Sequence, residues 1–383
     1  MGKEPKKIAV LSTVFHPASH TDVIVSRWLD PFPSDALYGW SKPGSIIASI
    51  YVAQKTAATD LTALARARYG VKEFDTIEGA LTLGGEQLAV DAVFLIAEHG
   101  DYPENPFHQK LYPRKEFFDA MMRVFERSGR AVPVFFDKHL SWKPEWIDEM
   151  HRRIKENGVP FFAGSSVPYS LPESLANLPD GSGFDEVVAV YFNSLEAYFF
   201  HSAEFVETVI ERRESSKPGI ESITAWEGAG VWEAIDNGIF SWDLVEAACA
   251  TASAGPLEAI RAHRDARAGP VYAFQIQYCD GLKVTHFMQR NIVRKWCLGA
   301  RLKNGGEIVA GAVQSSGADQ YYPHFAKLCR KIEDFLQSGL SPVPLERIRT
   351  TSLTTALAMQ ALASPGKTLT TPQLNAHAPT QCP

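Results

Sequence analysis

The chain has 383 residues, 45% of them hydrophobic and 21% charged, a composition that suits a globular protein large enough for two cores. Its formal net charge of −6 excludes a broad basic surface, and with it general binding to nucleic acid or to anionic membranes. Five scattered cysteines without a C-x-x-C pair read as reduced thiols, and no apolar run is long enough to span a bilayer, so a cytoplasmic protein is expected.

Met1–Lys7 leads into the strand-like run Ile8–Leu11 with no apolar h-region, so no secretory signal is expected. Further short apolar runs follow at Ile46–Val52, Ala92–Ala97, Val132–Phe136 and Pro160–Ala163. Helix-length segments lie between them at Thr21–Leu29, Asp60–Tyr69, Ile77–Leu83, Arg114–Ser128 and Glu145–Asn157. Continuous apolar runs separated by helices predict parallel strands buried on both faces, joined by right-handed crossovers in a doubly wound, Rossmann-like α/β sheet. Residues 1–167 are assigned to this domain.

A Pro/Gly/Ser-rich stretch, Pro168–Gly183, marks a boundary. Beyond it a strand at Glu186–Tyr191 and helices at Leu195–Arg212 and around Gly230–Ala250 are predicted. Val271–Tyr278 and Lys283–Arg290 flank Asp280-Gly281, a strong hairpin signal. Strands at Ala300–Leu302 and Glu307–Val313 and a helix at Phe325–Gln337 complete an α+β domain with a largely antiparallel open sheet, over residues 168–363. The aperiodic tail 364–383 is expected to be extended or disordered.

Three segments carry a family resemblance. Tyr69-Gly-Val-Lys-Glu-Phe-Asp-Thr-Ile-Glu-Gly-Ala-Leu81 is similar to the "G-V…F-x-x-x-x-E-A-L" stretch of the Gfo/Idh/MocA family. Val134-Phe-Phe-Asp-Lys-His139 resembles its strand ending in Glu-Lys-Pro, with Lys138 in the lysine position. Gly228–Asp243 resembles its Asp-x-Gly-x-His-x-x-Asp helix, with Asp236, Gly238 and Asp243 in place. The resemblance implies a Rossmann domain followed by an α+β domain that helps form the site or a homo-oligomer, and sugars or polyols as substrates.

Three departures stand against it. After the first strand the family's Gly-x-Gly-x-x-Gly lets the backbone approach a pyrophosphate; here Ser12-Thr-Val-Phe-His-Pro-Ala-Ser-His-Thr21 has no glycine. Ala53-Gln-Lys-Thr56 stands where a ribose-binding carboxylate is wanted, and Phe240 replaces the catalytic histidine. No cofactor-binding residue is therefore assigned.

Titratable side chains gather instead at the carboxyl ends of the strands, where doubly wound sheets bind ligands. His16 and His20 follow the first strand, Glu98 and His99 the fourth, and Asp137-Lys138-His139 the fifth. In the order 3-2-1-4-5 these ends are adjacent. Imidazole and carboxylate together suit Zn, Mn or Fe, so His20, Glu98, His99 and His139 are assigned as metal ligands, with Asp137 in the same pool. Lys138 is assigned to proton transfer, with Asp137 as its catalytic partner. His16, Tyr112, Arg114, Glu233 and Asp236 are assigned to the substrate. Arg114, opening a helix after Tyr112-Pro113, suits a carboxylate or phosphate. The same residues admit a structural reading, in which Ser19 caps a helix that His20 opens and Asp137 pairs with Lys138 or Arg114.

Three functions follow from these residues. The first is a metal-assisted, nicotinamide-independent enzyme performing hydrolysis, elimination or isomerisation on a sugar- or polyol-like molecule. The second is an NAD(P)-dependent sugar or polyol oxidoreductase with a divergent phosphate loop. The third is a non-catalytic small-molecule binding subunit.

Overall fold

The computed structural model describes residues 4–41, 43–55, 59–213, 219–252, 256–290, 292–303, 305–313 and 321–375. The chain forms two compact units. One draws its described residues from Met1–Glu104, Lys110–Tyr169 and Ser315–Ser352, the other from Asn105–Gln109, Ser170–Gln314 and Leu353–Pro383.

The first unit begins with β1 (Lys6–Ser12), α1 (His20–Leu29), β2 (Ser45–Val52), α2 (Thr62–Tyr69), β3 (Lys72–Glu73) and α3 (Ile77–Thr82). It continues through β4 (Ala92–Ile96), α4 (Arg114–Ser128), β5 (Val134–Asp137), α5 (Pro144–Glu156) and β6 (Phe161–Gly164). The six strands lie parallel in the order β3-β2-β1-β4-β5-β6. Ile8, Ala9, Val10 and Leu11 are wholly buried, as are all five residues of β4, because each strand is covered on both faces. This is the doubly wound sheet that the apolar runs predict. Pro144 opens α5 at its first position, where a missing N–H costs nothing.

The second unit holds α6 (Glu173–Ala176), β7 (Phe184–Tyr191), α7 (Leu195–Ile210), β8 (Ile220–Glu227), α8 (Ala229–Asp236), α9 (Trp242–Ala250) and α10 (Pro256–Asp265). The strands β9 (Val271–Tyr278), β10 (Lys283–Gln289), β11 (Cys297–Leu302) and β12 (Ile308–Ala312) follow. Next come α11 (Pro323–Ser338) in the first unit, α12 (Leu345–Ala361) divided between the two, and β13 (Thr368–Thr370) in the second. The second sheet runs β12-β11-β7-β10-β9-β8-β13 and is antiparallel except where β10 lies parallel to β7. The hairpin of β9 and β10 turns at Gly281, whose φ of 89° only glycine adopts freely; its N–H donates to the Tyr278 carbonyl. At Gly299 in β11 a Cβ would stand 2.4 Å from the Leu244 carbonyl oxygen, so glycine there lets α9 approach the sheet.

The start of the tail is ordered by β13, which adds to the edge of β8; residues 376–383 lie outside the described residues. Cys249, Cys297 and Cys329 are free and buried, as expected of reduced thiols, whereas Cys279 is disulfide-bonded. Among the described residues no helix is long and apolar enough to cross a membrane.

Candidate functional site

The carboxyl ends of β1, β4 and β5 are neighbours in the first sheet, and they bring most of the assigned side chains of this unit together. β4 passes directly into Ala97, Glu98 and His99; β5 ends at Asp137 and passes into Lys138 and His139. Two residues at these ends are held with positive φ, His99 at 68° and Lys138 at 75°. Non-glycine residues in that region carry strain that the surrounding structure must sustain, and such positions concentrate at functional sites. The Lys138 N–H donates to the Gly164 carbonyl at 3.3 Å, which fixes the bend after β5.

Glu98, Arg114, Asp137, Lys138 and His139 are 3%, 1%, 2%, 2% and 1% exposed, so their charges act at low dielectric. The Arg114 Nη2 donates to Glu98 Oε2, and Nη1 lies 3.1 Å from His139 Nε2. The Lys138 Nζ stands 3.9 Å from the other Glu98 oxygen. Burial alone raises a carboxyl's pKa, but Lys138 and Arg114, with smaller contributions from His20 and His99, outweigh it and hold Glu98 well below the usual carboxylate range. Thr13 Oγ1 donates to the Glu98 carbonyl at 2.7 Å and ties the end of β1 to that of β4.

His20 and Asp137 form a second pair, His20 Nδ1 to Asp137 Oδ2 at 2.6 Å. An ionised carboxylate only accepts, so Nδ1 carries the proton and, in neutral imidazole, Nε2 is the basic nitrogen. The His99 ring meets the His20 ring edge-on at 5.1 Å, and the His20 N–H reaches His99 Nδ1 at 3.4 Å. Burial, then the nearby His20, push the His99 imidazole down to about 4. His16 lies farther out, 6.3 Å from His99 between ring centres, with Nδ1 at 3.0 Å from the Pro17 carbonyl. Tyr112 packs under the Arg114 guanidinium, 5.1 Å from its ring centre. Glu233 and Asp236 belong to α8 of the other unit; both are exposed, and Asp236 pairs with Arg267.

The metal site expected at these strand ends does not assemble. Its carboxylates already have partners: Glu98 between the cations Arg114 and Lys138, and Asp137 on His20 Nδ1, while a guanidinium faces His139. Among the described residues no group of three or more His, Cys, Asp or Glu could hold a metal ion.

Sequence reasoning missed a contribution from α11. The Tyr321 hydroxyl donates to Asp22 Oδ2 at 2.5 Å, and the Phe325 ring meets His20 edge-on at 5.0 Å. His324 is buried with no hydrogen bond to Nδ1; burial, then Arg27, push its pKa down to about 3. Pro323 after a tyrosine pair marks a helix start in the sequence, but nothing local says which sheet that start faces.

No family profile and no curated protein matches the sequence. Solved structures do match. A myo-inositol 2-dehydrogenase from Lactobacillus plantarum aligns with a TM-score of 0.60 at 13% identity, over 96% of this chain and 99% of that one. A scyllo-inositol dehydrogenase from Lactobacillus casei, solved with NAD(H) and scyllo-inositol, aligns at 0.57 and 11% identity over 96% and 99%. A biliverdin reductase from Synechocystis sp. PCC 6803, solved with biliverdin and NADP+, aligns at 0.51 and 12% identity over 93% and 99%.

The chain has the inositol-dehydrogenase fold. The Gfo/Idh/MocA resemblance carried by the order of its motifs therefore holds at the level of architecture, across both units. The expected metal-assisted, nicotinamide-independent enzyme does not hold. The expected ligands do not come together as a metal site among the described residues, and solved proteins of this fold include ones crystallised with NAD(H) or NADP+.

The turn that would meet a dinucleotide in this fold does not fit a pyrophosphate as it stands. Its N–H groups are already engaged: His16 and Asp22 donate to Ser19 Oγ, Ala18 to Asp22 Oδ2, Ser19 to the His16 carbonyl, and His20 to His99. At the end of β2, Gln54 exchanges two hydrogen bonds with the backbone of Asp101, and Lys55 pairs with Glu73, so among the described residues there no unpaired carboxylate is offered to a ribose.

Proposed function

We propose that the protein is an NAD(P)-dependent oxidoreductase acting on a sugar- or polyol-like small molecule, with a phosphate-binding turn of its own kind. Support comes from a fold shared over nearly the full length with inositol dehydrogenases, one of which was solved with NAD(H) and scyllo-inositol, and with GenD2 from gentamicin A biosynthesis, solved with NAD. The observation that carries the reading is Lys138, buried in a left-handed bend at the end of β5 and facing Glu98 beside the His20–Asp137 pair.

Oxidation of a secondary alcohol requires the hydroxyl proton to leave as the carbon loses hydride. Lys138 is the group assigned to that transfer: the ammonium facing Glu98 first releases a proton to solvent, and the neutral amine then takes the one the hydroxyl loses. Glu98, ionised between two cations, supplies a fixed negative charge behind it. Asp137 holds His20 in the tautomer whose Nε2 accepts, giving a second acceptor for relay. His16, Tyr112 and Arg114 contribute substrate contacts in this reading. A homo-oligomer also belongs to it, the assembly resting on the family resemblance; the cytoplasmic location expected from scattered thiols has three free buried cysteines behind it and the Cys279 disulfide against it.

The test is spectrophotometric. Purified protein is mixed with NAD+ or NADP+ and a panel of inositols, sugars and sugar acids, and formation of the reduced nucleotide is followed. Turnover with one of them, lost in Lys138→Met, is the expected result. If no panel member reduces either nucleotide and neither nucleotide binds by calorimetry, the reading fails. A non-catalytic binding subunit is then the second reading, favoured by the self-bonded turn before α1.

A further inference from the structure

The fold places a dinucleotide's pyrophosphate at the N-terminus of α1, and in this chain that position is held by a side chain. We propose that the Asp22 carboxylate is the resident anion of the turn, and that Asp22, secured by Tyr321, sets how tightly phosphate-bearing ligands bind there.

Asp22 is the third residue of α1 and lies in its first turn, where helix amides and their aligned dipoles favour negative charge. It is 6% exposed. Oδ2 accepts from the Ala18 N–H at 2.9 Å and from the Tyr321 hydroxyl at 2.5 Å, while Oδ1 accepts from Ser26 Oγ at 2.6 Å. Ala18 is held at a φ of 62°, in the region a side chain rarely adopts, and its N–H serves both Asp22 and the tyrosine oxygen. Ser19 caps the helix conventionally, its Oγ accepting from the Asp22 N–H at 3.2 Å. A cap needs only that one bond. The additional bonds from Ala18, Ser26 and Tyr321 fix a carboxylate, and they use donors that an arriving phosphate would need.

Two consequences follow for any phosphate brought to the turn. It meets a negative charge in a poorly solvated place, and it must displace Asp22 from three donors to obtain them. Tyr321 comes from the segment before α11, so the affinity of this turn is set jointly by the first helix and a part of the chain 299 residues later. Burial, then the bond to Asp22, raise the Tyr321 phenol, which keeps it a proton donor rather than a second anion.

The experiment measures binding of ADP, NADH and adenosine to the full chain and to Asp22→Asn by calorimetry. Asparagine preserves shape and leaves the Ser19 cap in place while removing the charge. ADP and NADH should bind the variant roughly tenfold more tightly or better, as expected for lifting one like-charge contact at a partly buried site, and adenosine should be unchanged. Equal or weaker binding of ADP to D22N, including no detectable binding to either protein, overturns the proposal. So does an equal gain for adenosine. If D22N does not fold, Tyr321→Phe carries the same test, since it loosens the carboxylate without touching α1; a smaller gain for ADP is expected, and no gain overturns it. Reduction of NAD(P)+ by polyols is a separate readout, so failure of the proposed reaction and failure of the Asp22 assignment are distinguishable.

Discussion

Asp137 accepts a 2.6 Å hydrogen bond from Nδ1 of His20, a residue 117 positions earlier in the chain, because β1 and β5 flank β4 and end at the same level. The bond defines the imidazole's tautomer and points its other nitrogen away from the carboxylate. Asp137→Asn keeps the shape but replaces an obligate acceptor with a group that can donate, so the favoured tautomer changes. We expect nitrogen-resolved NMR of His20 to register that change, with turnover falling by about two orders of magnitude or more and KM moving little. An unchanged His20 spectrum would remove Asp137 from the site.

Glu98 is the only described carboxylate between Arg114 and Lys138, and all three are buried. Glu98→Gln leaves two cations facing each other without compensation, which typically costs about 3–5 kcal/mol. Chemical denaturation should show that loss. Replacing Arg114 by Met should cost less, since Lys138 still faces the carboxylate.

Acid should destabilise the first unit in two stages. His324 and His99 have folded-state pKa values pushed below their ordinary value, to about 3 and about 4, so the unfolded chain binds more protons as pH falls below about 6.5. Their contribution is complete above that pH and declines toward the folded values at up to ~1.4 kcal/mol per pH unit for each group. Glu98, also depressed, adds a loss that begins only below about pH 4.3. Thermal melts between pH 7 and 4.5 should therefore slope downward with falling pH, and His324→Leu should flatten the slope. A variant with the wild-type slope would exclude His324 as a source.

Arg27 is fully buried and paired with Asp35 at 3.0 Å, and its Nη2 donates to the Tyr321 carbonyl at 2.7 Å. Arg27→Met leaves Asp35 buried beside no cation and frees the carbonyls before α11. A loss of about 3–5 kcal/mol is expected, with hydrogen exchange accelerated in residues 321–325 before it rises elsewhere. Uniform acceleration throughout the unit would mean that Arg27 does not act on that segment specifically.

Much of the architecture was legible because burial on both faces leaves a plain trace. Ile8–Leu11 and Ala92–Ala97 read as parallel strands since no polar residue interrupts them, and Asp280-Gly281 read as a turn because glycine adopts the positive φ that a tight hairpin requires. β8 and β13 were not seen; β8 alternates weakly, and β13 has three residues whose pairing lies on a distant edge. The docking of α11 beside α1 was equally silent, because an amphipathic face looks the same whichever sheet it covers.

The sequence by itself determined which side chains stand at the ends of β1, β4 and β5, since strand order and strand termini follow from the apolar pattern. It also determined that the first turn has no glycine for a phosphate to approach. Tertiary structure decided what those side chains do to one another. A list of His, Asp and Glu residues fits a metal as well as it fits ion pairs, and the distinction is a matter of ångströms: Arg114 and Lys138 reach Glu98, and His20 reaches Asp137. It also decided that Asp22 fills the position left by the missing glycines, because only in the folded unit does Tyr321 arrive to hold its carboxylate there.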